Sequence, residues 1–80
     1  MSHGVVHTFV MRLFHRADGR YYAITEPTPD LFGELVITTF HGSVNSRMGG
    51  IYDYPADRFS VDQIVRARLR HGYQEVPRME

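Results

Sequence analysis

A small α+β domain is the fold this chain predicts, and three observations predict it. Apolar and β-branched residues alternate through the first two thirds of the sequence, interrupted by turns rich in Gly, Pro and Asp. One stretch near the C-terminal end changes to helical spacing and carries start and stop signals. The chain has 80 residues, and a chain of that size hides only about 60–65% of its unfolded surface, so one modest core is all it can build. The expectation is a single domain over residues 1–80. It has a four- to five-stranded antiparallel sheet with one helix packed on a face.

Each element has its own warrant. Val5 to Phe14 reads as the first strand, with Val5, His7, Phe9, Met11 and Leu13 on one face. His15-Arg16-Ala17-Asp18-Gly19 is a turn, because Asp-Gly tolerates positive φ. Arg20 to Thr25 returns as the second strand. Glu26 to Asp30 reads as a loop, since two prolines fix φ and remove donors. Gly33 to His41, rich in β-branched residues, is the third strand. Gly42 to Arg47 is a tight turn in which Asn45 is suited to the left-handed region. Met48 to Tyr54 is the fourth strand.

Ser60 is a good N-cap, and Gln63 completes a capping box. Val61, Ile64, Val65 and Leu69 form the apolar stripe of the helix, and Gly72 is the residue expected just past its end. Tyr73 to Val76 returns as an edge strand. The core residues expected from this pattern are Ala23, Leu35, Ile37, Ile51, Ile64, Val65 and Leu69.

Composition narrows the chemistry. Formal net charge is zero and no cysteine is present, which excludes a disulfide framework and thiolate metal ligation. No signal peptide or membrane span is visible, so a soluble, cytoplasmic protein is expected. All nine basic residues are arginine, whose planar donor fork suits phosphate and stacking. Neutral overall charge argues against strong non-specific nucleic-acid binding.

Several blocks stand in a definite order: Arg20-Tyr21-Tyr22, Asp30-Leu31-Phe32-Gly33, His41-Gly42-Ser43-Val44-Asn45, Met48-Gly49-Gly50, then a short Arg-rich helix ending in His71-Gly72-Tyr73. In that order and spacing they resemble a WGR domain, in particular the short bacterial members, over roughly Val5 to Val76. The family's Trp-Gly-Arg triplet falls on His41, Gly42 and Ser43. In the eukaryotic poly(ADP-ribose) polymerases this domain contacts DNA ends, the Trp stacking on the terminus and the Arg touching the backbone. The resemblance therefore implies a DNA contact at His41-Gly42-Ser43. His41 keeps part of the stacking area, Ser43 offers only a neutral hydroxyl, and Arg47 is placed to supply the missing charge. Arg20 and Arg66 are expected as outer phosphate contacts. The resemblance brings no catalysis, because the polymerases' catalytic part lies in other domains.

Other chemistry finds little footing. His3 and His7 lack a third predictable metal ligand. Ser43 and Ser46 near His41 lack a nucleophile elbow and a group to orient the histidine. Gly49-Gly50 lacks the Lys-Ser/Thr of a phosphate loop. Neither an enzyme nor a cofactor or metal site is expected. Arg66, Arg68 and Arg70 form the densest basic cluster, and Asp62 stands one turn before Arg66, as in a solvated ion-pair face. Two functional readings stand: weak DNA binding through the turn after the third strand, or a protein-interaction module using an exposed sheet edge with Phe32, Tyr52 and Tyr54.

Overall fold

The computed structural model describes residues 11–77. Residues 5–10 of the first expected strand lie outside the described residues, as do His3 and His7. In chain order the elements are β1 (Met11–His15), β2 (Arg20–Thr25), β3 (Thr28–Pro29), β4 (Leu35–Ser43), β5 (Ser46–Pro55), α1 (Val61–Arg70) and β6 (Gln74–Glu75). All strand pairings are antiparallel. β2 and β3 lie end to end along one side of β4, and β5 runs along the other, so the sheet reads β6, β1, β2 with β3, β4, β5 across its width. The sixth strand is β3, two residues where the prolines of 26–30 had predicted only a loop.

Turn chemistry sets the register. Between β1 and β2, Gly19 takes φ +89°. Its N–H donates to the Arg16 carbonyl at 3.0 Å, and the Arg16 N–H donates to the Arg20 carbonyl at 2.8 Å. The Asp18 carboxylate accepts from Arg16 Nε (3.1 Å), Arg16 Nη2 (2.8 Å) and the Arg20 N–H (3.2 Å). These bonds hold the carboxyl down at about 2, the Arg16 hydrogen bond being the largest cause. The second hairpin differs from expectation. No non-glycine among the described residues has positive φ, so Asn45 is not left-handed. The turn is Val44-Asn45, stapled by the Asn45 N–H to Ser43 Oγ at 3.2 Å. Pairing then jumps from Ser43–Ser46 to Gly42–Gly49, leaving Arg47 and Met48 without partners on β4. A bulge of this kind adds local twist, which a left-handed turn residue would otherwise provide.

The helix begins and ends as its sequence predicts. Ser60 Oγ accepts from the Gln63 N–H at 3.2 Å, and Gln63 Oε1 accepts from the Ser60 N–H at 2.9 Å. At the other end Gly72 takes φ +88°. The Tyr73 N–H donates to the Arg68 carbonyl and the Gly72 N–H to the Leu69 carbonyl, both at 3.1 Å, which is a Schellman stop. Arg16 Nη1 adds a bond to the His71 carbonyl at 3.2 Å, tying the first hairpin to the helix end.

Residues paired across antiparallel strands share a face, so the register assigns the core. Phe14, Tyr22, Ile24, Ile37 and Thr39 face α1 and are buried with Ile64, Val65 and Tyr73. Of the expected core, Ala23, Ile37, Ile64 and Val65 are buried. Leu35, Ile51 and Leu69 are not: they are 54%, 68% and 49% exposed. Leu35 opens β4 at its end, and Ile51 points away from the helix on an edge strand. Leu69 flanks the stripe, which runs through Val61, Ile64, Val65 and Arg68. Ala23 is buried on the opposite, helix-free face, between Leu13 and Phe40.

Replacing Ser60 with Ala removes one side of the capping box and should cost about 1 kcal/mol, read as a fall in thermal midpoint of about 4–8 °C. Acid unfolding should reveal the Asp18 turn. A carboxyl held at about 2 in the folded state, against about 3.9 unfolded, contributes stability above the unfolded value and loses it as pH falls through the folded one. The Asp18→Asn variant should therefore lose less stability than the unmodified protein between about pH 4 and pH 2.

Candidate functional site

Antiparallel register brings residues from three strands to one corner of the sheet beneath the C-terminal half of α1. Arg20, His41 and Ser43 share the helix-facing side of β2 and β4, with Tyr22 paired to His41 and Arg20 paired to Ser43. Gly50 on β5 lies opposite His41. A Cβ built on Gly50 would sit 2.5 Å from His41 Nε2, so the imidazole lies across this glycine. Gly42 belongs to the other side. A Cβ there would collide with the Tyr21 ring, which covers Gly42 on the helix-free face. The backbone of Gly42 still lines the corner.

Two adjoining hollows occupy this corner. One, of about 480 Å³, lies among Arg20, Tyr22, His41, Tyr52, Tyr54 and Arg68, with Thr39 and Tyr73 at its base. The other, of about 240 Å³, runs along His41, Gly42, Ser43 and Ser46 and shares Arg20, His41 and Tyr73. Arg68 reaches over both buried tyrosines. Its guanidinium carbon is 4.8 Å from the Tyr22 ring centre and 5.7 Å from that of Tyr73. The two rings meet edge to face at 6.1 Å. Cation–π contact of this kind contributes about 0.5–2 kcal/mol and leaves the positive charge intact.

Arg68 forms no salt bridge among the described residues, and its Nε–H is buried without an acceptor there. Burial also pushes the Tyr22 phenol up, a hydrogen bond with Thr39 partly opposing it.

The remaining charges favour an anion. Arg20 Nε stands 3.6 Å from Asp18, an exposed and loose pair whose carboxylate is already committed to Arg16. Tyr52, 59% exposed, offers a ring beside His41, and it stacks edge to face on Tyr54 at 4.7 Å, which meets Phe59 at 5.0 Å. The corner thus combines two guanidinium groups, an imidazole and an accessible aromatic shelf. A larger hollow of about 720 Å³ beside β1 and β6 has its cation, Arg12, already clasped by Glu75 at 2.8 and 2.7 Å.

Of the residues expected at the site, Arg20, His41, Gly42 and Ser43 come together. Arg47 and Arg66 are exposed and lie outside the lining of both hollows. Arg68, Tyr22, Tyr52, Tyr54 and Tyr73 are the additions. Arg68 had a signal in the sequence: it stands seven residues after Val61 and four after Ile64, on the apolar stripe itself. Among the described residues no group of three or more His, Asp or Glu is placed to hold a metal, and no helix is long and apolar enough to cross a membrane. In comparisons with family models, curated proteins and solved structures, nothing matches this chain.

Gly50 provides a direct test of the His41 placement. The Gly50→Ala variant should fold, with its imidazole displaced from β5. Carbon and nitrogen chemical shifts of the His41 ring would move while those of His15 and His71 stay in place.

Proposed function

We propose that this is a non-enzymatic, WGR-like domain that binds nucleic acid weakly through the corner beneath the end of α1. The observation that carries the reading is Arg68: a guanidinium held by two tyrosine rings rather than by a carboxylate, beside Arg20, His41 and the exposed Tyr52. Guanidinium groups meet phosphates, and a ring at the rim accepts a base laid against it, a contact worth about 1–3 kcal/mol. His41 and Ser43 occupy the positions of the family's Trp and Arg, and Arg20 and Arg68 supply the charge that Ser43 lacks. Arg47 and Arg66 act as outer contacts. The balanced overall charge fits low affinity, and binding carried by arginine–phosphate contacts weakens as salt rises.

The test is fluorescence anisotropy with a blunt duplex and a single strand, and competition by a closed circle, at about 50 and 200 mM salt. Binding should favour free ends or the single strand over the circle and weaken steeply with salt. Arg20→Ala and Tyr52→Ala should each weaken it about tenfold, and Arg66→Ala less than about threefold. Absence of binding at the lower salt would reject the reading.

A second reading, a protein-interaction module without DNA affinity, draws on the helix-free face. Leu13, Tyr21 and Ile51 are exposed there, next to the partly buried Met11, Val36 and Phe40. Apolar groups contiguous on an open sheet face mark contact surfaces.

A further inference from the structure

The two edges of the sheet are unlike. β6 is two residues long and is followed within two residues by Pro77, a short and well-defended edge. β5 is ten residues long, and among the described residues it pairs only with β4. Its outer edge therefore presents a row of unpaired backbone groups. Its protections lie toward its ends: the bulge at Arg47–Met48, the charges of Arg47 and Asp53, and a proline at the last position, Pro55, with no lysine and an unguarded stretch from Gly49 to Tyr52. Gly49 and Gly50 carry no side chain to hinder a neighbouring strand.

The charges on this strand are placed symmetrically. Arg47 lies three residues before Gly50, and Asp53 lies three residues after it. We infer that the outer edge of β5 pairs antiparallel with β5 of a second copy of this chain about a two-fold axis at Gly50. In that register Gly50 faces Gly50 of the other copy, Gly49 faces Ile51, and Arg47 faces Asp53 twice over. Opposite charges directly across an antiparallel pair are favourable, and a like-charged pair is not.

Both exposed ends of the pairing have the reach for it. Arg47 is exposed in the irregular stretch beside the turn, and Asp53 is exposed with one carboxylate oxygen accepting from Thr38 Oγ1 at 2.8 Å, leaving the other oxygen for an arginine. Ile51, 68% exposed, gains an apolar neighbour, because the two copies of Ile51 become diagonal partners about 7–8 Å apart on the helix-free face. Residues opposed across the joint share a face, so both helices and both corners containing His41 lie on the same side. With strands about 4.8 Å apart, the two His41 positions stand three strand spacings apart, about 14 Å. The inference uses the outer edge of β5 and none of the groups lining the corner; it shares only Arg47, an outer contact, with the proposed nucleic-acid surface, and the self-association test is made without nucleic acid.

Sedimentation velocity of the full chain, from about 10 µM to about 1 mM, tests it, since only a self-associating species changes its mass with concentration. A shift toward twice the monomer mass is expected. Arg47→Asp and Asp53→Arg, each placing like charges opposite one another, should each weaken the dimer about tenfold, and the double variant, which exchanges the pair, should restore it to within about threefold. Amide exchange on the unmodified protein gives a reading independent of the variants: the outward-pointing N–H groups of Ile51 and Asp53 should become protected as concentration rises. A monomer at every concentration overturns the inference. So does a dimer indifferent to the charge reversals, and so does exchange at these amides that does not change with concentration.

Discussion

A single ten-residue helix has to cover one face of a sheet five strands wide, and the rest of the molecule follows from that mismatch. At 1.5 Å per residue the helix is about 15 Å long, while four strand spacings make the sheet about 19 Å across. The purely hydrocarbon core is accordingly confined to the crossing, where Ile64 and Val65 meet Phe14, Ile24 and Ile37. Beyond it, cover comes from large side chains with polar ends. Tyr22 and Tyr73 fill the space under the last helical turn, and Arg68 lies across them. Tyr54, backed by the Phe59 ring, does the same toward β5. The corner with two arginines and an exposed tyrosine is thus what remains where the helix stops short.

The helix stop also builds that corner. In a Schellman ending the second residue past the cap folds back toward the third-last helical residue. Here those residues are Tyr73 and Arg68, and the same turn that satisfies the backbone places the ring against the guanidinium. Tyr73 is structural and shapes the site through Arg68. Arg16, bonded to the His71 carbonyl and 5.0 Å from the Tyr73 ring, braces the ending from the first hairpin.

Local signals were legible in the sequence. The Asp18-Gly19 turn, the Arg20–Thr25 strand, the Ser60–Gln63 capping box and the Gly72 stop all depend on contacts within a few residues, and each formed where its residues predict. What the sequence did not reveal depends on partners distant along the chain. The position of Arg68 on the apolar stripe is legible, but what it packs against is not until Tyr22, 46 positions earlier, is known to lie beneath it. Ile51 alternates as core residues do but faces away from the helix, while Leu35, on the helix side, lies at the end of β4 beyond the helix's cover; both outcomes are set by the register of the whole sheet. Arg20 stood among the residues expected at this corner, whereas Arg68 is brought there by α1.

The block His41-Gly42-Ser43 addresses both faces of the sheet. His41 and Ser43 look toward the helix, His41 lying over Gly50, while Gly42 opens space for Tyr21 on the far side. Each aromatic ring uses a glycine as its floor, and the two glycines stand on neighbouring strands with opposite orientation. Insertion or loss of one residue in β4 would exchange the faces of everything beyond it. The imidazole would then turn toward Tyr21, and Tyr21 would meet a side chain in place of its glycine. The length of β4 is thereby fixed from two sides at once, so that substitutions in this strand are more readily accommodated than changes in its number of residues.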